Sequence, residues 1–333
     1  MKKKTVQWLA ALAVVQLGLI AGLWLLETRG GDVPRGPLLS VAQDGLQSLR
    51  IEAAGQTLVL QRRDGAWQLA DSGLPVAANR LHAALDALSS AAAGWPVATT
   101  DDAIARFGLE AEAPRKRIVL ADDDSEQVLL LGDAAGLNKV YARLPDEHKV
   151  YSLALDGFVW STAGDDWLDK TLLRVAEPET VTGADYQLGL APADAGEAAR
   201  HWWLTDAGPD EKLDPSRAQR LLDVLRGLRV AGVASGDLPA NAETELTVTT
   251  AAGEQVLSLY RRAPDERPAQ GGAPAPQWLI TSTAQPGVFV LPAGSAEVLA
   301  WQRADLLADQ VGETGGAAEQ GEPVPGRGQK GGG

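Results

Sequence analysis

The chain has 333 residues, which favours about two domains, and its 44 acidic and 30 basic residues give a formal charge of −14. This acidic balance argues against nucleic acid as the main partner, because phosphate binding requires a basic face. The absence of cysteine excludes disulfides, thiolate metal sites and cysteine nucleophiles, and three widely spaced histidines argue against a histidine metal centre.

Residues 1–27 are typical of a membrane anchor. Three lysines at positions 2–4 precede residues 6–26, which carry no charge. As a helix this segment would be about 31 Å long, close to the hydrocarbon thickness of a bilayer. The lysines predict a cytoplasmic N-terminus and a single-pass inner-membrane protein, with its body in the periplasm of a Gram-negative cell. A cleaved signal peptide is the alternative, but residues 25–29 lack the small-x-small cleavage pattern.

The anchor also contains one candidate contact between helices. Gly18 and Gly22 have the GxxxG spacing that lets two membrane helices approach closely, so they are candidate interaction residues for a homodimer. The simpler explanation is that glycine is common in membrane helices. Beyond the anchor lysines, 27 basic residues face 44 acidic ones, which leaves −17 on the body. Such a surface predicts a tethered, soluble body that does not spread on an anionic bilayer.

The body contains an internal duplication, with one copy at about 46–173 and the second at about 184–307. Four blocks recur in the same order: a strand with tryptophan, an amphipathic helix, a strand with the letters EQVL and a strand before a short closing helix. The helix stripe of Leu81, Leu85 and Leu88 is matched with Leu221, Leu225 and Leu228, and the closing helix at 169–173 with that at 303–307.

The predicted fold is therefore α+β, a transmembrane helix followed by two tandem units of antiparallel sheet plus helix. The predicted segments are the anchor at 1–27, a stalk at 28–45, the first unit at 46–175, the second at 176–310 and a disordered Gly-rich tail at 311–333.

Local signals support these units. Asp64-Gly65 predicts a hairpin turn, a short helix begins near residue 100 and ends at Gly108, and Asp214 with Pro215 predicts a helix start. The Pro- and Gly-rich loop at 267–276 is predicted to be flexible.

The first copy resembles the bacterial membrane proteins grouped under domain of unknown function 4340. The motifs that carry the resemblance are Asp64–Trp67, Arg106–Leu109 followed by Pro114, Leu131–Gly132, Val140–Arg143, Lys149–Tyr151 and Asp166–Lys170. The second copy lacks the Phe-Gly-Leu block and most of the Tyr-Ala-Arg strand. The resemblance implies an N-terminal anchor, an α+β periplasmic body and partnership with ABC-type export systems, and it implies no catalytic residues.

Acidic side chains provide two candidate sites. Residues 122–124 are three aspartates, which could bind calcium, but the pattern is more typical of a solvated hairpin tip. Asp165, Asp166 and Asp169 could act as paired carboxylates, but at the start of a helix their charges favour the helix dipole.

Other side chains give weaker signals. His82, His148 and His201 lack metal or triad spacing and are predicted on the surface, and Ser295 lies outside a Gly-x-Ser-x-Gly elbow. Trp67 is predicted to anchor the core. Trp202 and Trp203 must point to opposite faces of a strand, so one of them is a candidate surface for sugar or protein binding.

These features predict a protein without catalytic activity, metal or cofactor. The leading hypothesis is a membrane-anchored periplasmic accessory protein, the partner of an ABC permease or another envelope protein. The alternative is a ligand- or cell-wall-binding module that uses the cleft between the two copies. A hydrolase acting through Asp166 and Asp169 is the weakest hypothesis.

Overall fold

A computed structural model describes residues 36–39, 43–191, 201–263 and 276–309, and Gln16 alone in the N-terminal segment. They form an α+β fold with two antiparallel sheets, as the sequence predicts. Apart from Gln16, the predicted anchor with Gly18 and Gly22 lies outside the described residues, as do residues 267–275 of the predicted flexible loop and the tail at 311–333. In the described part of the chain, no helix is long and apolar enough to cross a membrane.

The first sheet has seven strands in the order β3-β2-β1-β4-β5-β6-β7. Their bounds are β1 Ser48–Ala53, β2 Gln56–Arg63, β3 Ala66–Leu69, β4 Lys116–Ala121, β5 Glu126–Gly136, β6 Lys139–Arg143 and β7 Tyr151–Leu153. The predicted turn at Asp64-Gly65 joins β2 to β3, and both residues have positive φ, as a two-residue hairpin turn requires.

The second sheet has eight strands in the order β10-β9-β8-β12-β13-β14-β15-β11. Their bounds are β8 Thr180–Thr182, β9 Gln187–Leu190, β10 Trp202–Leu204, β11 Gly232–Val233, β12 Thr244–Thr250, β13 Gly253–Arg262, β14 Gln277–Ser282 and β15 Phe289–Leu291. Without β11 this order repeats that of the first sheet strand for strand. An isolated bridge between Ala98 and Val150 takes the place of the β11–β15 pair in the first sheet.

Six short α-helices complete the described fold. Their bounds are α1 Ala78–Ser90, α2 Asp101–Arg106, α3 Gly164–Trp167, α4 Pro215–Arg226, α5 Ala293–Leu299 and α6 Arg303–Leu306. A 3-10 turn at Gln43–Gly45 precedes β1. Asp214 caps α4 as predicted: its carboxylate accepts hydrogen bonds from the backbone N–H groups of Ser216 and Arg217, at 2.8 and 3.3 Å.

The structural alignment of the two long helices, α1 and α4, differs from the leucine match that the sequence suggests. Val76 bridges to Leu168 two residues before α1, and Leu213 bridges to Leu307 two residues before α4. The buried residues of α1 are Leu81, Ala84, Leu85 and Leu88, and those at the same places in α4 are Ala218, Leu221, Leu222 and Leu225. The leucine match is therefore displaced by about one turn, because a stripe at helical spacing looks much the same after a shift of three residues.

The first closing helix was predicted too late in the chain. The helix is α3 at Gly164–Trp167, whereas residues 170–173 form a turn. The carboxylate of Asp169 accepts hydrogen bonds from the backbone N–H of Thr171 at 2.9 Å and from its hydroxyl at 2.7 Å. An aspartate that bonds the backbone two residues later stabilises a turn in competition with a helix. The prediction for the second copy is correct, since α6 lies within 303–307.

One apolar core runs through both sheets, from Leu39 to Leu306. The junction is also hydrogen-bonded: Val175 N–H donates to Leu225 at 3.0 Å, and Val230 N–H donates to Lys170 at 2.8 Å. The end of the predicted stalk joins the same body. Pro37 bridges to Ala92, and Leu39 is buried in the core.

An arginine network holds α6 in the second unit. The Arg303 guanidinium donates to both carboxylate oxygens of Glu211, at 3.0 and 2.7 Å, and to the carboxylate of Asp206 at 2.9 Å. The hydrogen bond from Arg303, with a second from Gly208 N–H, lowers the pKa of Glu211 to about 2.

This network predicts an acid-labile contribution to stability. A carboxyl group with a lowered folded pKa stabilises the fold above its unfolded pKa, and the contribution is lost as the pH falls towards the folded value. We expect the thermal midpoint of the wild type to fall between pH 5 and pH 2. The midpoint of Glu211→Gln should fall less over the same range. Glu254→Gln, at an exposed site on β13, is the control. An equal fall of the thermal midpoint in Glu211→Gln and in the wild type would contradict the prediction.

Candidate functional site

Trp202 and Trp203 lie on opposite faces of β10. Trp202 packs against the core, whereas Trp203 is 46% exposed. The indole Nε1 of Trp203 is 3.3 Å from the position that a Cβ on Gly189 would occupy. The glycine on the neighbouring strand therefore makes room for the ring. Trp67 packs partly buried against the core, where the sequence predicts it.

The acidic candidates have structural partners. Asp122 closes the β4–β5 hairpin by accepting from the N–H groups of Asp124 and Ser125, and these bonds with the Ser125 hydroxyl lower its pKa. Asp165 accepts from Val233 N–H of β11 at 2.9 Å and so joins the two units, while Asp169 forms the turn described above. Of the two carboxylates of the hydrolase hypothesis, Asp166 lies in α3 and Asp169 in the turn that follows it.

The histidines and Ser295 lie at separate places. Nδ1 of His148 is 2.9 Å from the carboxylate of Asp101 at a solvated site, and His82 is exposed on α1. Ser295 belongs to α5 and lines a shallow cleft beside α4. Within the described residues, no group of three or more His, Asp or Glu side chains is placed to hold a metal.

A concave surface with exposed apolar side chains lies at one end of the first sheet. We call it the hairpin groove; it runs between the tip of the β5–β6 hairpin and the loop at 156–158 and has a volume of about 390 Å³. Leu137 at the tip is 91% exposed, and Phe158 in the loop is 89% exposed. Other residues along the groove include Arg115, Lys116, Leu131, Gly132 and Val140. Two large apolar side chains thus stand in solvent on one groove.

The loop that carries Phe158 is fixed on both sides of the exposed ring. The Lys116 ammonium donates to the carbonyls of Gly157 and Trp160, both at 2.7 Å. Phe158 N–H donates to the carboxylate of Asp156 at 2.9 Å. Trp160 is fully buried next to Trp167, with 6.4 Å between the ring centroids. The exposed phenyl ring is therefore presented by a backbone that the fold holds in place.

Lys116 is one of several charged residues that line the groove. Partial burial lowers the pKa of its ammonium, and the nearby Asp156 carboxylate opposes that shift. Both hydrogen bonds of Lys116 go to carbonyls of the Phe158 loop, so its role visible in the structure is to position that loop.

The hairpin opposite Phe158 is irregular. The pairing of β5 with β6 shifts register between Leu131 and Ala134 and again between Ala134 and Gly136. Gly136 and Asn138 have positive φ, at 130° and 52°. Bulges bend a strand and redirect its side chains, which accounts for Leu137 standing away from the sheet.

Four motifs of the family resemblance, Arg106–Leu109, Leu131–Gly132, Val140–Arg143 and Lys149–Tyr151, meet beside this groove. Phe107, after α2, stacks on Tyr141 of β6 with ring centroids 4.0 Å apart. Ile104, Leu109, Leu130 and Val150 form a small second core beneath them. Gly132 lies where a Cβ would collide with the Phe107 carbonyl, so the glycine permits α2 to dock on β5. Through these contacts, α2 covers the outer face of the first sheet at β5 and β6.

Arg143 holds this cluster together from inside. It is 5% exposed, and it donates to the carbonyls of Leu109, Leu144, Pro145 and Glu147 at 2.7, 3.1, 2.8 and 3.0 Å. The guanidinium ties the turn after α2 to the turn between β6 and β7. The motif residues therefore have structural roles in the wall next to the groove.

Leu137, Phe158 and Lys116 are not among the site residues that the sequence predicts. Phe158 is one of only three phenylalanines in the chain and follows Asp156-Gly157, a turn signal, so a large aromatic residue in a turn was the available sign. The sequence around Lys116 does not indicate its role, because its partners are backbone carbonyls distant in sequence.

The described residues form an α+β body with two like-ordered antiparallel sheets and a groove with exposed apolar side chains. The chain belongs to the family described as Domain of unknown function (DUF4340), whose model matches residues 67–250, more than half of the chain. The match begins in β3 and ends with β12, so it includes parts of both sheets. No curated protein and no solved structure matches the chain.

Proposed function

We propose that the chain is a non-catalytic, membrane-anchored accessory protein of the bacterial envelope that docks a partner protein on the hairpin groove. Residues 6–26 would anchor it in the inner membrane, with the body in the periplasm and the two sheet units as copies of one ancestral unit. The proposed partner is the permease of an ABC-type export system, as the family resemblance implies.

The observation that carries this proposal is the fixed presentation of Phe158. Large apolar side chains of soluble proteins are usually covered, and exposed ones grouped on a concave surface favour protein contact. An aromatic anchor contributes most when its position is already ordered, because less conformational entropy is lost on binding. Phe158 meets both conditions, with Leu137 across the groove.

Site-specific photocrosslinking tests this surface in cells. A photoreactive phenylalanine at position 158 should capture a specific membrane protein, and mass spectrometry should identify a multi-spanning permease. The same residue at Trp95, which is 69% exposed on the loop after α1, is the matched control and should capture little. Phe158→Ala with Leu137→Ala should abolish co-purification with that partner.

Two results would overturn the docking proposal. One is the same capture pattern at positions 158 and 95. The other is full partner recovery with the double alanine variant, provided that its thermal midpoint equals that of wild type. Capture of an envelope protein other than a permease would support the groove as the docking site and would contradict the permease as the partner.

The anchor makes a separate prediction. Deletion of residues 1–27 and their replacement by a cleavable secretion signal should release the body from the membrane fraction into the periplasm. The full chain should resist extraction by alkaline carbonate. Recovery of wild type in the soluble fraction with a shortened N-terminus would contradict a retained anchor and favour the cleaved signal peptide.

A further inference from the structure

The outer face of the second sheet differs from that of the first. In the first sheet, Arg50, Glu52, Arg117 and Glu126 form ion pairs on this face, and α2 covers the part at β5 and β6. In the second sheet, residues 234–242 replace α2, and Arg262 holds them by donating to the carbonyls of Ser235 and Asp237 at 2.8 and 2.7 Å. A shallow groove of about 620 Å³ remains open beside them.

The centre of this face is a square of threonines. Thr182 on β8 pairs directly with Thr247 on β12, and Thr180 pairs with Thr249. Val181 and Val248, which alternate with them, lie in the core, so the threonines point outward. None of these four hydroxyl groups forms a hydrogen bond with another of the described residues. Each hydroxyl can therefore both donate and accept.

Aromatic side chains stand at two corners of this face. Trp203 lies over Gly189, which pairs with Thr180, and Tyr260 lines the same open groove as Thr182 and Thr247. From Trp203 to Tyr260 the face crosses four strand spacings and six residues along β13, a diagonal of about 28 Å. One small molecule cannot contact both rings, whereas an extended chain can.

From these contacts we infer that the outer face of β8, β9, β10, β12 and β13 binds an extended, uncharged oligosaccharide strand. Hydroxyl groups with free donors and acceptors match sugar hydroxyls, and indole and phenol rings stack against the apolar faces of sugar rings. The charged neighbours of the threonines on this face include the acidic Glu245 on β12 and Glu254 on β13, in a body with a large acidic excess, which disfavours anionic polymers and anionic lipid. A protein partner would favour an apolar centre instead of threonines.

This site is distinct from the hairpin groove and from the junction between the copies. It lies on the second sheet, whereas Phe158 and Leu137 belong to the first. The junction itself is filled by contacts such as that of Asp165 with Val233 N–H. Glycan binding would allow one anchored protein to contact both an envelope protein and a neighbouring polysaccharide.

The test is a titration of the full chain, in a detergent without a sugar headgroup, with chitohexaose and chitobiose. Isothermal calorimetry and saturation-transfer NMR should show binding of the hexaose and a Kd about tenfold weaker for the biose, which cannot reach both rings. Trp203→Ala and Tyr260→Ala should each weaken hexaose binding about tenfold. Trp95→Ala, at an exposed tryptophan of the first unit, should leave the Kd unchanged.

Variants that preserve the strands separate binding from folding. Thr182→Val with Thr247→Val keeps the side-chain shape and removes two hydroxyls, so hexaose binding should fall while the thermal midpoint is retained. No binding of chitohexaose or cellohexaose at millimolar concentration would overturn the inference, as would equal affinity in Trp203→Ala and Trp95→Ala. Self-association that Trp203→Ala abolishes in sedimentation would also overturn it and assign the face to a second copy. Photocrosslinking at position 158 should be unaffected by Trp203→Ala, so this test and that of the docking proposal fail independently.

Discussion

Trp167→Ala is expected to lower the free energy of unfolding by about 3–5 kcal/mol, the usual cost of removing a buried tryptophan. Trp167 is fully buried at the end of α3 and lies 6.4 Å from Trp160 between ring centroids. The Arg80 guanidinium stands 5.1 Å above its ring, and its indole N–H donates to the Ser161 carbonyl at 2.9 Å. The substitution therefore leaves a large cavity and an unpaired carbonyl.

The same substitution at Trp95 is the matched control. Trp95 is 69% exposed, so Trp95→Ala should change the free energy of unfolding by no more than about 0.5 kcal/mol. Urea titrations followed by circular dichroism measure both values. Equal urea midpoints for the two variants would show that the buried Trp167 side chain does not stabilise the core. We also expect Trp167→Ala to reduce photocrosslinking at position 158, because Trp160 and the Phe158 loop lose a neighbour.

Arg143→Ala is expected to destabilise the first unit by about 3–5 kcal/mol. The guanidinium is almost completely buried, and it satisfies four backbone carbonyls from two separate turns. Alanine would remove this donor from all four carbonyls, of which, within the described residues, only that of Leu144 also has a backbone donor, the Glu147 N–H at 3.2 Å. Each buried unsatisfied group costs about 1–3 kcal/mol before water enters. Hydrogen exchange should locate the loss in α2 and in the turn between β6 and β7.

Arg115→Ala provides the comparison, because Arg115 is also an arginine of the first unit but forms an exposed ion pair. Its side chain is 65% exposed, and its Nε is 2.9 Å from the Asp133 carboxylate. Exposed ion pairs contribute at most about 1 kcal/mol, so this variant should remain close to wild type. If Arg143→Ala were no less stable than Arg115→Ala, the four hydrogen bonds from Arg143 to backbone carbonyls would not be a source of stability.

Local signals in the sequence predicted the elements well. The Asp64-Gly65 hairpin and the Asp214 cap depend on residues close in sequence, and the structure confirms both. The prediction that Trp202 and Trp203 face opposite ways follows from strand geometry alone and agrees with their burial.

One error has a local cause and the other depends on distant residues. The closing helix of the first copy was placed at 169–173 because the pattern resembled that of α6, but the Asp169 side chain closes a turn there. The helix register was displaced because leucine spacing alone is ambiguous by one turn, and only the bridges at Val76 and Leu213 define it.

The candidate sites were less predictable than the fold. Several family motifs lie beside the hairpin groove, but their sequence does not show that Arg143 donates to backbone carbonyls or that Gly132 admits α2. The hairpin groove requires the β5–β6 tip to meet the loop at 156–158, and the threonine square requires β8 to pair with β12 across more than sixty residues.

The sequence by itself determined the α+β class, the two sheet units, the family and the expectation of an anchor, because periodicity, turns, caps and apolar length are local properties. Only the tertiary structure decided which side chains remain in solvent and which carbonyls receive a buried guanidinium. Phe158 is exposed and Arg143 is buried because of contacts between segments far apart in the chain, and burial is set by those contacts.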